Sequence, residues 1–525
     1  MAIKDAWTNS STVKYYRAIR SAPREVICSR HLILSAIVYA TTAVPATWDQ
    51  GSASVIPSLP GFQKQFDISS GTDAQAIKNF VSIVYIGYAV GAALSFLIND
   101  RIGRLWAYRL YVAVWAIGQF VGVGTPTIAG LYASRIITGL GIGALTVTGP
   151  MSIVEIAPWE IRGLLASWFG VGMALALFSS IFCVYGVYLH MPADRLQYQT
   201  VFFAPCIFML LCVIGSFWIR ESPRWLVIVD RHADAMAELS RLRGLPMNHS
   251  RLVAEFSGIE ESIRTSGKGA SLLRLARETL TVSSNLRRVQ QSLLSYALAQ
   301  LSGANSITSY FVPIMKILGL GKTTKDQLFL SGMYGFSKFF FVLIASFFFI
   351  DALGRRKSLF VGITLQMITH IYLSVYIRES QLHDVSDSAS QGAIALIFIH
   401  AFGYCVGLFI LPYVFGGELW PNHIRSFGSA LGQTFHWLFI YAMSYGTPSL
   451  LATTNQWGAF VFFAAWCFVA LCYVYFMVPE LSGLSVEQIN DLFKGPWFSV
   501  YKRSKRSPVV DGVEAGDSKG NTDIS

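Results

Sequence analysis

Asp49, Arg135 and Lys338 are ionisable residues that lie well inside long apolar stretches of this chain, where an unpaired charge is unfavourable. A charged side chain inside hydrocarbon costs about 2.5 kcal/mol or more, so it persists where it is paired or faces a polar cavity. Counted along helices that rise about 1.5 Å per residue, Asp49 and Arg135 reach similar depths from opposite ends of their stretches. They are therefore predicted to meet, either as a pair that titrates or as a static buried ion pair.

Lys338 lies midway along its stretch, in the sequence Gly335-Phe-Ser-Lys338-Phe. Two interpretations of this ammonium group remain open. It faces the carboxylate of a ligand, or it pairs with another polar group of the protein.

The composition indicates a polytopic membrane protein. Hydrophobic residues make up 53% and charged residues 14% of the 525 residues, against roughly 25% charged residues in an ordinary soluble domain. A helix needs about 20 apolar residues to cross about 30 Å of hydrocarbon. Twelve stretches meet this length: 32–57, 78–98, 106–124, 127–149, 164–188, 199–219, 289–317, 327–349, 358–377, 392–417, 424–452 and 457–477.

The two halves of the chain repeat the same signatures in the same order. Glu155-Ile-Ala-Pro-Trp-Glu-Ile-Arg162 recurs as Glu418-Leu-Trp-Pro-Asn-His-Ile-Arg425, and Asp100-Arg-Ile-Gly-Arg104 recurs around Asp351 and Arg355. Duplicated halves of hydrophobic helices are a transporter architecture. The predicted fold is an all-α membrane protein with two six-helix bundles. Its parts are a cytosolic arm (1–30), an N-terminal bundle (31–219), a cytosolic linker with short helices (220–288), a C-terminal bundle (289–478) and a largely disordered cytosolic tail (479–525).

The net charge of +11 lies mostly in segments that should face the cytosol. Lys and Arg cluster in the arm, in the loops after the second and eighth stretches, and in the tail, which predicts that both termini are cytosolic. Attraction to anionic lipid headgroups also follows, whereas nucleic-acid binding does not. The seven cysteines fit core packing, and no nucleophile, metal or phosphate-binding constellation is visible. The sequence therefore predicts no enzyme, no metal and no cofactor.

Several motifs together resemble the sugar porter family of the major facilitator superfamily, and the stretch Leu411–Pro421 resembles its fungal quinate-permease-like branch. The resemblance covers almost all of residues 30–490. The matching strings are Asp49-Gln-Gly51, Asp100-Arg-Ile-Gly-Arg104, Arg135-Ile-Ile-Thr-Gly139-Leu-Gly141-Ile-Gly143, Pro150 with Glu155 to Gly163, Glu221-Ser-Pro-Arg-Trp225, Gln300-Leu-Ser-Gly-Ala-Asn305 and Pro479-Glu-Leu-Ser-Gly-Leu-Ser-Val-Glu487.

The resemblance implies roles for particular residues. Asp49 would accept the proton and Arg135 would tune its affinity for the proton, while Gln300, Asn305 and Trp437 would bind a sugar-like solute. The chain departs from the family at other positions. Gly170 and Ala299 replace amides, Tyr413 replaces a Trp, and His436 replaces a Gln. Tyr413 and His436 are still predicted to bind the solute, as an aromatic wall together with Trp437. Because a site built to hydrogen-bond hydroxyls discriminates strongly, these losses argue against an ordinary hexose and favour a larger, less hydroxylated or anionic solute, for which Lys338 is a candidate contact.

Eight charged residues are expected at cytosolic helix ends. By resemblance they form a gate that holds the bundles together when the carrier faces outward, although they could equally anchor the spans at the interface. They are Asp100, Arg104, Glu155, Arg162, Asp351, Arg355, Glu418 and Arg425.

Three functional hypotheses follow. The first is a proton symporter for a sugar-like or cyclic hydroxy-acid solute, which works by alternating access. The second is an exporter of a small metabolite on the same fold, and the third is a nutrient receptor that does not transport. In each case the predicted partners are a small molecule and the lipid bilayer, with protons in the first, and the predicted state is a monomer in the plasma membrane.

Overall fold

The computed structural model describes residues 20, 23–68, 74–266, 272–319, 323–346, 355–409, 412, 419–421, 424–479 and 493. Within these residues the regular structure is helical, and no strand is present. The predicted all-α fold is confirmed. Nine helical segments of the described chain are long and apolar enough to cross a membrane.

Within the described residues, each of the twelve predicted spans lies on helix, and we label these helices α1 to α12. The nine segments of sufficient length and apolarity are all of these except α3, α7 and α11, which are more polar or, for α7, broken. The helices are Arg30–Ala40 and Val44–Val55 (α1), Ala74–Ser82 and Val84–Ile102 (α2), Arg104–Gly124 (α3), Ile128–Ile156 (α4), Arg162–His190 (α5), Leu196–Gly215 (α6), Ser283–Leu301, Ala304–Ser309 and Phe311–Ile317 (α7), Thr324–Ile344 (α8), Arg355–Leu382 (α9), Asp387–Tyr404 (α10), Arg425–Thr453 (α11) and Trp457–Met477 (α12).

The break in α7 occurs at Gly303, whose φ of 76° lies in the left-handed region that favours glycine. A Cβ at this position would lie 2.6 Å from the ring of Phe463, so a larger residue does not fit. Breaking the helix frees backbone groups, and the carbonyl of Ser302 accepts a hydrogen bond from His370 Nε2 at 2.8 Å. The short helix Ala304–Ser309 begins directly after this break and contacts α1 and α11.

The glycines of α4 permit close helix packing. A Cβ on Gly143 would lie 1.9 Å from the carbonyl oxygen of Tyr88, and one on Gly139 would lie 2.4 Å from that of Val84, both on α2. Gly141 faces the other way, and its Cβ would lie 2.6 Å from the backbone nitrogen of Trp115 on α3. These three positions bring α2, α3 and α4 together tightly around α4.

The two halves contact each other most extensively along two helix pairs, α2 with α11 and α5 with α8. We call the end of the bundles that carries residues 220–288 the linker side. On that side the rings of Phe96 and Phe427 meet at 5.5 Å. On the opposite side Lys78 Nζ donates to Ser449 Oγ at 3.1 Å and lies 3.8 Å from the ring centre of Tyr445. The halves are thus in contact at both ends.

Four short helices follow α6, at Pro223–Ile228, His232–Arg243, Ser250–Ser266 and Leu272–Thr281. The first three share a small apolar core that includes Leu226, Leu239 and Leu252. Arg243 links these short helices to the N-terminal half. It pairs with Glu255 and also donates to the carbonyl of Ile156, at the end of α4, at 2.8 Å.

Candidate functional site

Asp49 and Arg135 form an ion pair in the interior of the N-terminal half, through Oδ1 and Nη1. Each residue is 2% exposed. Asp49 Oδ2 accepts a hydrogen bond from the hydroxyl of Tyr88 at 3.2 Å, so both carboxylate oxygens have a partner. Arg135 Nε donates to the carbonyl of Phe80 at 3.1 Å, whereas its Nη2 has no hydrogen-bond partner among the described residues. The pair is a buried carboxylate whose charge is compensated by one guanidinium.

A chain of polar side chains crosses between the halves beside this pair. Gln50, the neighbour of Asp49 in the sequence, donates from Nε2 to Asn305 Oδ1 at 3.2 Å. Asn305 Nδ2 donates to Gln300 Oε1 at 2.6 Å, and Gln300 Nε2 lies 3.5 Å from His436 Nδ1. Three of the predicted substrate residues therefore lie together, and they are joined to α1 by Gln50.

Trp437 of the C-terminal half lies against the N-terminal half. Its ring is stacked on Tyr85 with 6.1 Å between centroids and 6° between planes, and it meets Tyr88 edge-on at 4.6 Å. Its indole N–H donates to Thr146 Oγ1 on α4 at 3.1 Å. His436, the neighbouring residue, lies 4.8 Å from the same ring. Trp437 thus connects the polar side chains of α7 to α2 and α4.

The positions where the chain departs from the family it resembles occupy different surroundings. Gly170 is buried on α5. Ala299 is 1% exposed and packs in an apolar cluster with Leu359 and Ile363 of α9, so its side chain is part of the C-terminal core. Tyr413 lies outside the described residues. Among the residues that are described, neither Gly170 nor Ala299 offers the hydrogen-bonding groups of an amide side chain.

Lys338 on α8 is buried inside the C-terminal half, 4% exposed. Its Nζ donates to the hydroxyl of Thr308 on α7, and it lies 4.9 Å and 5.3 Å from the ring centres of Tyr334 and Tyr404. These rings offer weak cation–π stabilisation. No carboxylate of the described residues lies within ion-pair distance of it. It contacts α7 one turn beyond Asn305 but makes no described hydrogen bond to Gln300, Asn305, His436 or Trp437.

A charged cluster on the linker side joins α2, α3 and α4. Arg104 binds Glu155 through two hydrogen bonds, Nε to Oε2 at 3.0 Å and Nη2 to Oε1 at 2.9 Å. It also donates from Nη1 to Asp100 Oδ1 at 2.9 Å, and Ser222 Oγ donates to Glu155 Oε2 at 2.7 Å. Bidentate pairs of arginine and carboxylate are among the strongest polar contacts in proteins. These contacts all lie within the N-terminal half and the segment that follows it.

Glu221 completes this cluster by binding the start of α3. Its Oε1 accepts from the backbone N–H of Arg104 at 2.8 Å, and its Oε2 accepts from that of Leu105 at 3.0 Å. A carboxylate at a helix N-terminus satisfies unpaired N–H groups and complements the helix dipole. Burial nevertheless raises the pKa of Glu221, and the bonds from the backbone N–H groups oppose that rise.

The structure describes only some of the remaining predicted gate residues. Asp351, Glu418 and the side chain of Arg355 lie outside the described residues. Arg425 Nη2 donates to the carbonyl of Trp420 at 3.4 Å, within the C-terminal half. Arg162 begins α5 on the same side as Arg104.

Gln50, Tyr85, Tyr88 and Glu221 were not singled out as site residues from the sequence. Gln50 follows Asp49 directly, and an amide in an apolar run is itself a signal of a polar contact. Tyr85 and Tyr88 are three residues apart and therefore share one face of α2. That this face meets Trp437 of the other half is not readable from local sequence.

Comparisons with known proteins agree with this architecture. The sequence profile of the family described as "Sugar (and other) transporter" matches residues 35–493. The chain is 28% identical over 490 residues to a protein described as "Probable quinate permease" from Aspergillus niger, with 90% of each chain covered. It is 27% identical over 470 residues to the "Quinate permease" of Neurospora terricola, covering 85% of this chain and 86% of the relative.

A solved structure, the proton:xylose symporter XylE bound to 6-bromo-6-deoxy-D-glucose, superposes with a TM-score of 0.76 at 20% identity, covering 89% of this chain and 99% of XylE. At that identity the likeness supports the fold, and the match to the family profile supports the class. The chain belongs to the sugar porter family of the major facilitator superfamily, and it is a membrane transporter rather than an enzyme.

Proposed function

We propose that the protein is a proton-coupled symporter that carries a cyclic hydroxy-acid of the quinate type by alternating access. The observation that carries this proposal is the position of Asp49. This buried carboxylate is the chain neighbour of Gln50, whose amide bonds Asn305 of the opposite half at 3.2 Å. A titratable group is therefore adjacent to the polar contact that must open and close as the halves move.

Protonation of Asp49 would change its interaction with Arg135 in a defined direction. The ionised carboxylate is held by the guanidinium and by the Tyr88 hydroxyl. A proton on Asp49 removes the charge that compensates Arg135, so the guanidinium must find other acceptors. Its Nη2, which has no hydrogen-bond partner among the described residues, is available to bond such an acceptor. The buried pair thus has two arrangements that differ by one proton, as coupling requires.

Two features support an acidic solute. Among the described residues, the partners of the buried Lys338 are a hydroxyl and aromatic rings, and a buried charge without a counter-charge is unfavourable. A carboxylate of the solute would supply that counter-charge. The relatives described as quinate permeases support the same class of solute. Gln300, Asn305 and His436 would bond ring hydroxyls, and Trp437 would cover an apolar ring face.

An uptake assay in reconstituted vesicles tests the proposal. We expect saturable uptake of quinate that is accelerated by an inward proton gradient and accumulates above the external concentration. Glucose should be a poor substrate, because Gly170 and Ala299 stand where hexose carriers place amides. Sub-millimolar glucose uptake that quinate does not compete with would contradict the proposed solute. A rate and extent of quinate uptake that do not depend on the pH gradient would contradict the proposed coupling.

The protein is proposed to lie in the plasma membrane as a monomer. In the proposed orientation, residues 220–288 and both termini face the cytosol. This orientation rests on the Lys and Arg residues of the arm, the loops and the tail. We expect a protease site inserted between the helices Ser250–Ser266 and Leu272–Thr281 to be cut only from the cytosolic side. The same insertion between α3 and α4 should be cut only from outside. The reverse pattern would overturn the orientation.

The linker-side cluster is proposed to be the cytosolic gate. Replacing Glu155 with glutamine should favour the inward-open state, because it removes the bidentate partner of Arg104. Side-chain exposures are 3% for Arg104 and 5% for Glu155, and breaking such a buried pair costs about 3–5 kcal/mol. A maleimide probe from the cytosol should then label a cysteine at Ser426 faster, measured with the exposed Cys28 and Cys472 replaced by serine.

Asp100→Asn is the matched control for this gate prediction. The Asp100 side chain also binds Arg104 but is 39% exposed, and exposed ion pairs contribute about 0–1 kcal/mol. Labelling should therefore change little in this variant. Equal labelling rates in the wild type, Glu155→Gln and Asp100→Asn would leave these residues as anchors of the helix ends.

A further inference from the structure

Among the described residues, only the side chain of Tyr88 directly contacts both the carboxylate of Asp49 and the ring of Trp437. Its hydroxyl lies 3.2 Å from Asp49 Oδ2, and its ring meets Trp437 edge-on at 4.6 Å. Tyr88 is fully buried on α2, which contacts α11 across the interface of the halves. One rigid side chain therefore touches the titratable group of one half and the aromatic solute contact of the other.

The hydroxyl of Tyr88 has two acceptors and one hydrogen. Besides Asp49 Oδ2, the backbone carbonyl of Ala46 lies within hydrogen-bond distance, at 3.3 Å. When Asp49 is ionised it can only accept, so the phenol donates to it. When Asp49 is protonated it can donate to the phenol oxygen, and the phenol hydrogen is then free for Ala46. Both protonation states are satisfied, but by opposite orientations of one hydroxyl.

Other groups near Asp49 do not offer the same link. The titratable or charged groups that face it are Arg135 on α4 and the two tyrosines of α2, Tyr85 and Tyr88. Of the other elements packed on α1, α5 presents Leu177 and Ser180 to Gly51, and α7 presents Asn305 to Gln50. Tyr85 is stacked on Trp437 but makes no described hydrogen bond to Asp49. Only the Tyr88 side chain touches both Asp49 and Trp437 within the described residues.

We propose that Tyr88 is a positioning residue that conveys the protonation state of Asp49 to Trp437, and thereby to the solute site of the C-terminal half. The inference rests on the proton coupling proposed above. Reorientation of the hydroxyl changes which groups hold the phenol in place, and the ring edge sets the position of Trp437. Trp437 in turn contacts His436, which lies beside Gln300. Protonation of Asp49 on α1 thus affects the position of the amide side chains of α7 through a chain of direct contacts.

The test is the pH profile of quinate uptake by the full chain in vesicles. Tyr88→Phe keeps the ring against Trp437 and removes only the hydroxyl. The donated hydrogen bond stabilises the ionised form of Asp49 more than the protonated form, because bonds to charged acceptors are stronger. We therefore expect the midpoint of the pH profile to move upward by about one pH unit, the size of shift that loss of one such bond produces. Exchange of labelled for unlabelled solute at equal pH should persist.

Two matched variants make the test specific. Tyr111→Phe removes a different buried phenol of the same half, one that bonds Asn99 Oδ1 at 3.0 Å, and should leave the midpoint unchanged. Tyr85→Phe keeps the ring stacked on Trp437. The midpoint of its pH profile should also stay unchanged, even if its maximal uptake rate differs from that of the wild type. Tyr88→Leu removes both hydroxyl and ring, and should lose pH-driven accumulation while exchange continues. Accumulation by Tyr88→Leu at the wild-type level would overturn the inference.

The remaining outcomes separate this inference from the proposed function. If the wild type accumulates quinate and Asp49→Asn does not, coupling exists. An unshifted midpoint in Tyr88→Phe, or an equal shift in Tyr85→Phe, then overturns the role of Tyr88 alone. If the wild type shows no accumulation under a pH gradient, both the coupling and the role of Tyr88 are wrong.

Discussion

Replacing Asp49 with asparagine should abolish accumulation driven by a pH gradient while exchange of solute across the membrane continues. Asparagine has nearly the same shape as aspartate but does not titrate, so the cavity is kept and the proton acceptor is lost. Asp49 is 2% exposed and is paired with the equally buried Arg135, so no bulk water substitutes for it. Uptake and counterflow assays of the same vesicle preparation measure the two activities separately.

The same substitution has a cost in stability that needs its own control. It leaves Arg135 as a buried charge whose remaining contacts among the described residues are the carbonyl and ring of Phe80, and an uncompensated buried charge costs about 3–5 kcal/mol. A double variant, Asp49→Asn with Arg135→Gln, removes that charge and should recover much of the lost thermal stability. It should still fail to accumulate solute. Accumulation by either variant at the wild-type level would exclude Asp49 as the coupling group.

Much of the architecture was predictable because the energetic penalties that shape it are large. Twelve apolar runs and a duplicated set of charged motifs predicted the all-helical fold. The contact of Asp49 with Arg135 was predictable too, because pairing lowers the free-energy cost of two opposite charges at similar depth in hydrocarbon. The break in α7 falls within Gln300-Leu-Ser-Gly303-Ala-Asn305, one of the strings that resemble the family, and the positive φ of Gly303 provides it.

The contacts between the halves were not predictable from local sequence. Tyr85 and Tyr88 belong to an apolar run rich in aromatic residues, and nothing in their spacing distinguishes a ring that meets Trp437 from one that faces lipid. The gate illustrates the same limit. Charged motifs at helix ends predicted a cluster, yet the partners of Arg104 come from its own half and from Glu221 at the start of the linker. Pairing across long sequence separation is decided by packing rather than by local pattern.

Replacing Lys338 with methionine should weaken the binding of carboxylated solutes at least tenfold and leave neutral analogues nearly unaffected. Removing one partner of a buried charge pair costs about 2–5 kcal/mol of binding free energy, which exceeds the 1.4 kcal/mol that corresponds to about a factor of ten. Quinate and its methyl ester are suitable probes, because they share the ring hydroxyls and differ in charge. Half-saturation constants for both in the same vesicles measure the effect.

The stability of this variant should change in the direction opposite to that of Asp49→Asn. Lys338 has no described carboxylate partner, so methionine removes a buried charge and preserves most of the volume, which is neutral or stabilising. Lys316→Met, which neutralises an exposed lysine of α7, should alter neither solute affinity nor stability. An equal loss of affinity for quinate and for its ester in Lys338→Met would show a packing role. A marked drop in thermal stability would show instead that Lys338 is paired within the protein, the second of the two interpretations that the sequence left open.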